Sequence, residues 1–360
     1  MQILISIIRW FVGLLFIFSG LIKANDPLGL SYKMQEFFEA WGLHGLHNYT
    51  LLAAIAMNVL EVVVGFALII GWQKKMVSWV LLLLISFFTF LTYYVLYSGK
   101  IKACGCFGDC VPLTPQQTFA KDILLLVLAI VILLNQKYIV QTFKTALSAV
   151  LVSFSLLSTL LLQFYVLQNL PFADCLPYKK GNNILEQMQV PLGAVPDSIV
   201  AISIYNTNGK KVEIVGDNFP ENFDSTYVLE SRMDKVVRKG NAEPKIKDFT
   251  LFSLNGNDTT NAIFNKEKYV LIVVNKVDEN LKIQVSDEIL TLFTKNNIPV
   301  FIVSSSPKIS QQINNNDVNY LVCDATVLKT AARVNTTYFL MEKATIKNKL
   351  SYKNAKNLLK

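Results

Sequence analysis

Residues 51–72 read LLAAIAMNVLEVVVGFALIIGW, a near-continuous apolar run with one ionisable side chain, Glu61. Its length matches the roughly 20 residues needed to cross the hydrocarbon core of a bilayer, so it predicts a transmembrane helix. A carboxylate near the middle of a span is costly unless paired or protonated. Glu61 therefore also predicts a partner. Arg9, about two helical turns inside the preceding apolar run, is the expected one if the two helices are neighbours, and the pair would orient the helices.

Similar runs lie on either side, over residues 3–22, 76–96, 119–134 and 146–167. Together they predict five membrane helices, with Trp72 and Trp79 flanking a tight hairpin at the headgroup level. Charge follows the same division. Residues 1–170 carry ten Lys and Arg and six Asp and Glu, whereas residues 171–360 carry 24 and 20. The first run lacks a basic leader and an A-x-A-like cleavage site and reads as a retained span. Because both halves have the same small positive balance, the overall charge of +8 contains no concentrated basic block. Nucleic acid is therefore not expected as a partner, and membrane lipid is.

Five spans place the loop after the first, the loop after the third and everything beyond the fifth on one side. All five cysteines (Cys104, Cys106, Cys110, Cys175, Cys323) and both histidines (His44, His47) share that side. The short opposite loops hold Lys74, Lys75, Lys137 and Lys144, while Lys23, Lys33, Lys100, Lys102 and Lys121 lie among acids. The positive-inside rule then favours a cytoplasmic N-terminus and a periplasmic C-terminal region in a bacterial inner membrane, where thiols can be oxidised.

Beyond the last span, residues 171–245 read as a connecting region with a hairpin, residues 200–206 and 211–215 joined near Asn208-Gly209. From residue 246 the pattern becomes strand (269–275), helix (283–295), strand (299–304), short strand (320–322), helix (326–333) and a closing hairpin (338–340 with 346–350). That order predicts a mixed sheet with helices on its faces. It resembles the thioredoxin or peroxiredoxin fold over residues 246–360. A working thioredoxin opens the helix after its first long strand with Cys-x-x-Cys, where the helix N-terminus lowers the thiol pKa. Here residues 275–280 read NKVDEN, and residues 335–337 (NTT) stand where a proline is expected. The region is expected to be catalytically silent, with Cys323 a buried structural thiol.

The stretch CGCFGDC, residues 104–110, puts three thiols on a glycine-containing loop at the membrane surface. With Phe18-Ser19-Gly20, Lys23, the Asp26-Pro27-Leu28-Gly29 loop and Glu61, it resembles the DoxX/MauE group of membrane proteins, whose four-helix bundle carries Cys-x-Cys-Phe-Gly before the fourth helix. The likeness covers residues 1–140. Residues 141–170 add a fifth helix, and the soluble tail suggests the multidomain form found in Bacteroidota envelopes. MauE-like proteins are implicated in maturing disulfide-containing exported proteins, so the resemblance implies periplasmic thiol chemistry.

Physically, an exposed thiolate can attack a disulfide while a neighbouring thiol resolves the mixed intermediate. Cys104, Cys106, Cys110 and Cys175 are the candidate thiols, and a Cys104–Cys106 bond would close a small strained ring. Two other readings stand beside exchange. One is a structural disulfide, for example Cys110–Cys175; the other is a metal site of Cys104, Cys106 and Cys110 with His44 or His47. Lys121 and Asp122 lie close enough to the loop to tune a thiol. Exported or envelope proteins are the expected partners. A quinone is the usual electron acceptor in such a membrane, although nothing in the sequence identifies its site. A different class of function also stands, a non-enzymatic subunit of an envelope complex that docks partners on the silent region.

Overall fold

The computed structural model describes residues 1–101, 104–207, 209–220, 223–238, 240 and 242–360. Lys102 and Asn208, used above in the loop-charge and turn readings, lie outside the described residues. Among the described residues, five helices are long and apolar enough to span a membrane. They are α1 (Gln2–Asn25), α3 (Thr50–Ile70, preceded by a 3-10 turn over His44–Tyr49), α4 (Lys74–Ser98), α5 (Pro115–Leu134) and α6 (Thr145–Asn169). Within the first 170 residues, one helix was not expected. After Asp26, where the sequence suggests a loop, α2 runs over Pro27–Ala40, with the Asp26 carboxylate accepting from the Gly29 N–H and Pro27 fixing the first turn.

Small residues bring α1 and α3 close together. A Cβ on Gly13 would stand 2.9 Å from the Gly65 carbonyl, and one on Gly20 would stand 2.7 Å from Val62. Without a hydrophobic driving force in lipid, such small-residue contacts allow the dispersion packing that holds helices together. They also fix an antiparallel register, with Gly20 beside Glu61 and Val62, Gly13 beside Ile69, and Arg9 beside Gly71. In α6, Gln163 ties the bundle further. Its side chain accepts from Asn58 of α3 at 3.0 Å and donates to the Ile55 carbonyl at 3.3 Å.

The chain forms two compact units, Met1–Gly181 with Thr250–Lys360, and Asn182–Phe249. The second contains the short helix α7 (Ile184–Gln187) and a sheet ordered β2-β1-β3, from β1 (Ser198–Thr207), β2 (Lys210–Val215) and β3 (Val228–Arg238). The β1–β2 hairpin is the expected one, and β3 is an addition. Most of the sheet's side chains are exposed or half-buried, so β3 lacks the apolar alternation that signals a strand from sequence.

Residues 250–360 build a six-stranded sheet. In chain order they form β4 (Phe252–Ser253), α8 (Thr260–Phe264), β5 (Tyr269–Val274), α9 (Leu281–Gln284), α10 (Asp287–Lys295), β6 (Val300–Ser304), α11 (Ile309–Ile313), β7 (Val318–Val322), α12 (Ala325–Ala331), β8 (Thr336–Glu342) and β9 (Thr345–Ser351). The sheet order is β4-β7-β6-β5-β8-β9. β5, β6 and β7 run parallel, while β8 and β9 close the sheet as an antiparallel hairpin. Strand β5 is buried at every position, as its continuous apolar sequence requires of a strand covered on both faces. The helix expected over residues 283–295 is divided, α9 ending at Gln284 and α10 starting after Ser286.

Candidate functional site

The loop between α4 and α5 is held at its C-terminal end by a capping box. Thr114 accepts from the Gln117 N–H, and the Gln117 side chain accepts from the Thr114 N–H. Within the loop, Gly105 has φ +73°, a left-handed conformation that glycine adopts without a Cβ penalty. The turn brings the Cys104 and Cys106 sulfurs to 3.4 Å, hydrogen-bond distance between two unbonded thiols. Cys104 is buried with Phe37, Val95 and Ile101, against Trp41 and Tyr94. Cys106 remains half-buried, and its carbonyl lies 3.0 Å from the Ser19 hydroxyl.

Beneath the thiols lies a group of charges buried between helices. Glu61 pairs with Lys23, both almost inaccessible, and its second oxygen is 3.0 Å from the Ser19 hydroxyl. Lys121 pairs with Asp122 at 2.5 Å and sits 5.0 Å from the centre of the Phe107 ring. The second Asp122 oxygen, Oδ2, is buried with no hydrogen-bond partner among the described residues. Lys23, Glu61, Ser19, Lys121, Asp122 and Cys106 line one small cavity. The expected Arg9–Glu61 pair does not form. The α1–α3 register places Arg9 at the other end of the bundle, where it donates to the Val140 carbonyl at 2.9 Å.

This setting differentiates the two thiols. Their mutual hydrogen bond pushes Cys104 well above the ordinary thiol range, and burial adds to the effect. The same bond pulls Cys106 down against the opposing effect of burial, helped by the Lys121 and Lys23 cations. Cys106 is therefore the more readily deprotonated member of the pair.

Cys110 and Cys175, candidate working thiols from the sequence, are joined in a disulfide across 65 positions of chain. It ties the loop to the segment after α6, and the Asn25 carboxamide holds that segment too, through the Phe172 N–H at 2.8 Å and the Ala173 carbonyl at 2.9 Å. The 250–360 region is attached to the same surface. Arg333, 5% exposed, reaches Asp26 at 2.7 Å and Asp109 at 3.0 Å, and Lys349 reaches Asp174 at 2.7 Å. Arg333 and Lys329 also lie 5.6 Å from the centre of the Tyr32 ring. Residues separated widely in sequence thus meet on the face that span parity assigns to them.

Residues 1–135 match the family model described as Methylamine utilisation protein MauE. The MauE match contains α1 to α5, and with them Cys104, Cys106, Lys23, Glu61, Lys121 and Asp122. It ends before α6, Cys175 and the sheet region. Five spanning helices with a MauE match make the chain a multi-pass membrane protein with a sheet-rich α/β region at its C-terminal end. No curated protein and no solved structure matches the chain.

Several sequence candidates lie outside this cluster. His44 and His47 occupy the 3-10 turn with ring centres 5.9 Å apart, and His47 is 3.9 Å from Glu39. Among the described residues, no group of three or more His, Cys, Asp or Glu is placed to hold a metal ion. Cys323 is a buried free thiol pushed up to about 11 by burial. The segment after β5 is occupied by polar contacts. Asn275 donates to the Ala332 carbonyl at 2.9 Å, and the Lys276 N–H donates to the Asn335 side chain at 2.7 Å. Arg333 had no local signal in the sequence, because only tertiary structure brings it to Asp26 and Asp109.

Proposed function

We propose that this is an inner-membrane protein that exchanges thiols and disulfides with exported or envelope proteins on the periplasmic side, through Cys104 and Cys106. The observation that carries the reading is the free thiol pair at 3.4 Å, differentiated by its surroundings and set above buried ion pairs. Since Cys110 and Cys175 are bonded to each other, Cys104 and Cys106 are the pair on this loop available to work. The basic set Lys74, Lys75, Lys137 and Lys144 in the opposite connections supports the orientation, and span parity puts the thiol loop on the same side as the sheet region.

In the reductive direction, the Cys106 thiolate attacks one sulfur of a partner disulfide, forms a mixed disulfide and expels the other partner sulfur as a thiolate. The Cys104 sulfur then attacks Cys106 Sγ as its proton leaves. The Cys104–Cys106 bond forms, the mixed disulfide breaks, and the partner departs as a dithiol. Oxidation of a partner dithiol is the exact reverse. The 250–360 region, with no thiol at the position of a thioredoxin motif, would hold the loop in place through Arg333 and Lys349.

Replacing Cys104 by Ser removes the resolving thiol and is expected to trap a partner on Cys106 in native membranes, visible as a shifted band that reducing agent collapses. Cys106→Ser is expected to trap nothing. Normal envelope-protein maturation without both cysteines would overturn the reading. If a stoichiometric partner then still co-purified in gentle detergent, the protein would be a docking subunit instead.

A further inference from the structure

Beside the thiol pair, between α2, α3 and α4, lies a cavity of about 180 Å³ with an almost entirely apolar lining. Phe37, Trp41, Met57, Phe88 and Leu91 are among the residues of its wall, and Cys104, Gly105 and Cys106 close one side. For scale, a dry apolar cavity of about 150 Å³ is enough to bind benzene. The space therefore suits one planar ring. Two further lining residues, Ala53 and Phe87, are solvent-exposed positions on spanning helices and so face lipid in a bilayer. The cavity borders the acyl phase on one side and a redox-capable dithiol on the other.

We propose that this cavity is a binding site for the ring of a membrane quinone, which accepts electrons from Cys104 and Cys106. The inference rests on the exchange reading above and selects its oxidative direction. A quinone fits each boundary. It is planar and apolar, its tail belongs in lipid, and its carbonyl oxygens accept hydrogen bonds. Lys23 and Lys33 also border the cavity at the thiol end, with their ammonium groups paired to Glu61 and Glu36. In the step itself the Cys104 S–H bond breaks and the Cys104–Cys106 bond forms, and the proton that Cys106 gave up on becoming a thiolate is returned from solvent. Two electrons and two protons pass to the quinone, whose two carbonyls become the hydroxyls of the quinol. The resulting disulfide is then ready to oxidise a partner dithiol.

The test uses the full-length protein in nanodiscs with its thiols reduced and the reductant removed, and a short-tailed ubiquinone analogue as the probe. Quinone absorbance reports reduction, and mass spectrometry reports the Cys104–Cys106 bond. The expected result is one quinone reduced per bond formed. Ala53→Trp, at a lipid-facing position that tolerates bulk, is expected to slow reduction about tenfold or more by filling the cavity mouth. Met57→Phe provides a second, internal blockade, and both variants must retain the wild-type elution profile to be scored.

Separately, the pair is oxidised with diamide and offered a reduced dithiol peptide. Peptide oxidation after diamide, without quinone reduction by the wild-type protein, would overturn the quinone site and leave exchange standing. Quinone reduction at the wild-type rate in both blocked variants would likewise place electron transfer outside this cavity, and an acyl chain would be its better occupant. Failure of the diamide-oxidised pair to oxidise the peptide would overturn the exchange reading on which the site rests.

Discussion

Two cysteine pairs share the α4–α5 loop and its surroundings, yet their conditions are opposite. Cys110 and Cys175 are bonded across a long stretch of chain, beside the contacts that attach the sheet region to the bundle. Cys104 and Cys106 are neighbours in sequence, unbonded, and surrounded by aromatic side chains and buried cations. Under the exchange reading, the difference lets one loop be both rigid and reactive. A covalent tie and Arg333 fix its far end, so the geometry at its near end does not depend on the reactive thiols being bonded.

Five sets of substitutions separate the roles of the two pairs. The largest effect is expected at the near pair, where Cys106→Ser should abolish mixed-disulfide formation altogether, whereas Cys110→Ser should leave it detectable. Trapping assays in a Cys104→Ser background make that comparison directly. The far pair should instead affect stability. Cys110→Ser with Cys175→Ser removes a loop closure worth about 4 kcal/mol in the chain-entropy account, which thermal unfolding in detergent would register as a lower midpoint.

Next in size is the buried Lys23–Glu61 pair below the thiols. Lys23→Met alone strands a carboxylate and should cost about 3–5 kcal/mol, while pairing it with Glu61→Gln should recover much of that loss in the same unfolding assay. At Arg333, alanine would leave Asp26 and Asp109 unpaired. A cost of about 2 kcal/mol is expected, with faster proteolysis between the bundle and the sheet region while Cys106 alkylation remains intact.

The smallest effect is electrostatic. The lowered Cys106 pKa means that the thiolate persists at pH values where an ordinary thiol is protonated. Alkylation of Cys106 should therefore rise with pH through a midpoint below that of a free cysteine. Lys121→Met removes a cation that favours the thiolate, so it should move that midpoint upward and slow labelling at neutral pH by a few-fold. An unchanged midpoint would mean that Lys121 does not act on the thiol.

The residues that can be read from sequence are those whose environment is local. Five spans follow from uninterrupted apolar length, and β5 and β6 from short buried-type runs bounded by polar turns. Helix α2 was hidden because its apolar positions, such as Phe37 and Phe38, alternate with Lys33, Glu36 and Glu39, and Asp26-Pro27 reads equally well as a loop or a helix start. In the candidate site, the thiols and Glu61 stood out as residue types that membrane loops and spans seldom carry. The correct partner of Glu61 did not, because apolar runs carry no register. Arg9 and Lys23 are 14 positions apart on one helix, roughly 21 Å, and only the glycine contacts between α1 and α3 decide which of them meets the carboxylate. The Cys110–Cys175 bond stood open among other pairings for the same reason.

In the proposed mechanism the near pair works while the far pair holds. Differential alkylation of all five cysteines in native membranes, read by mass spectrometry before and after an oxidant pulse, addresses it most directly. The account predicts that Cys110–Cys175 stays bonded throughout, that Cys323 stays a thiol, and that Cys104 and Cys106 move together between dithiol and disulfide. A Cys104–Cys106 pair that never changes state, with Cys110–Cys175 cycling in its place, would contradict it.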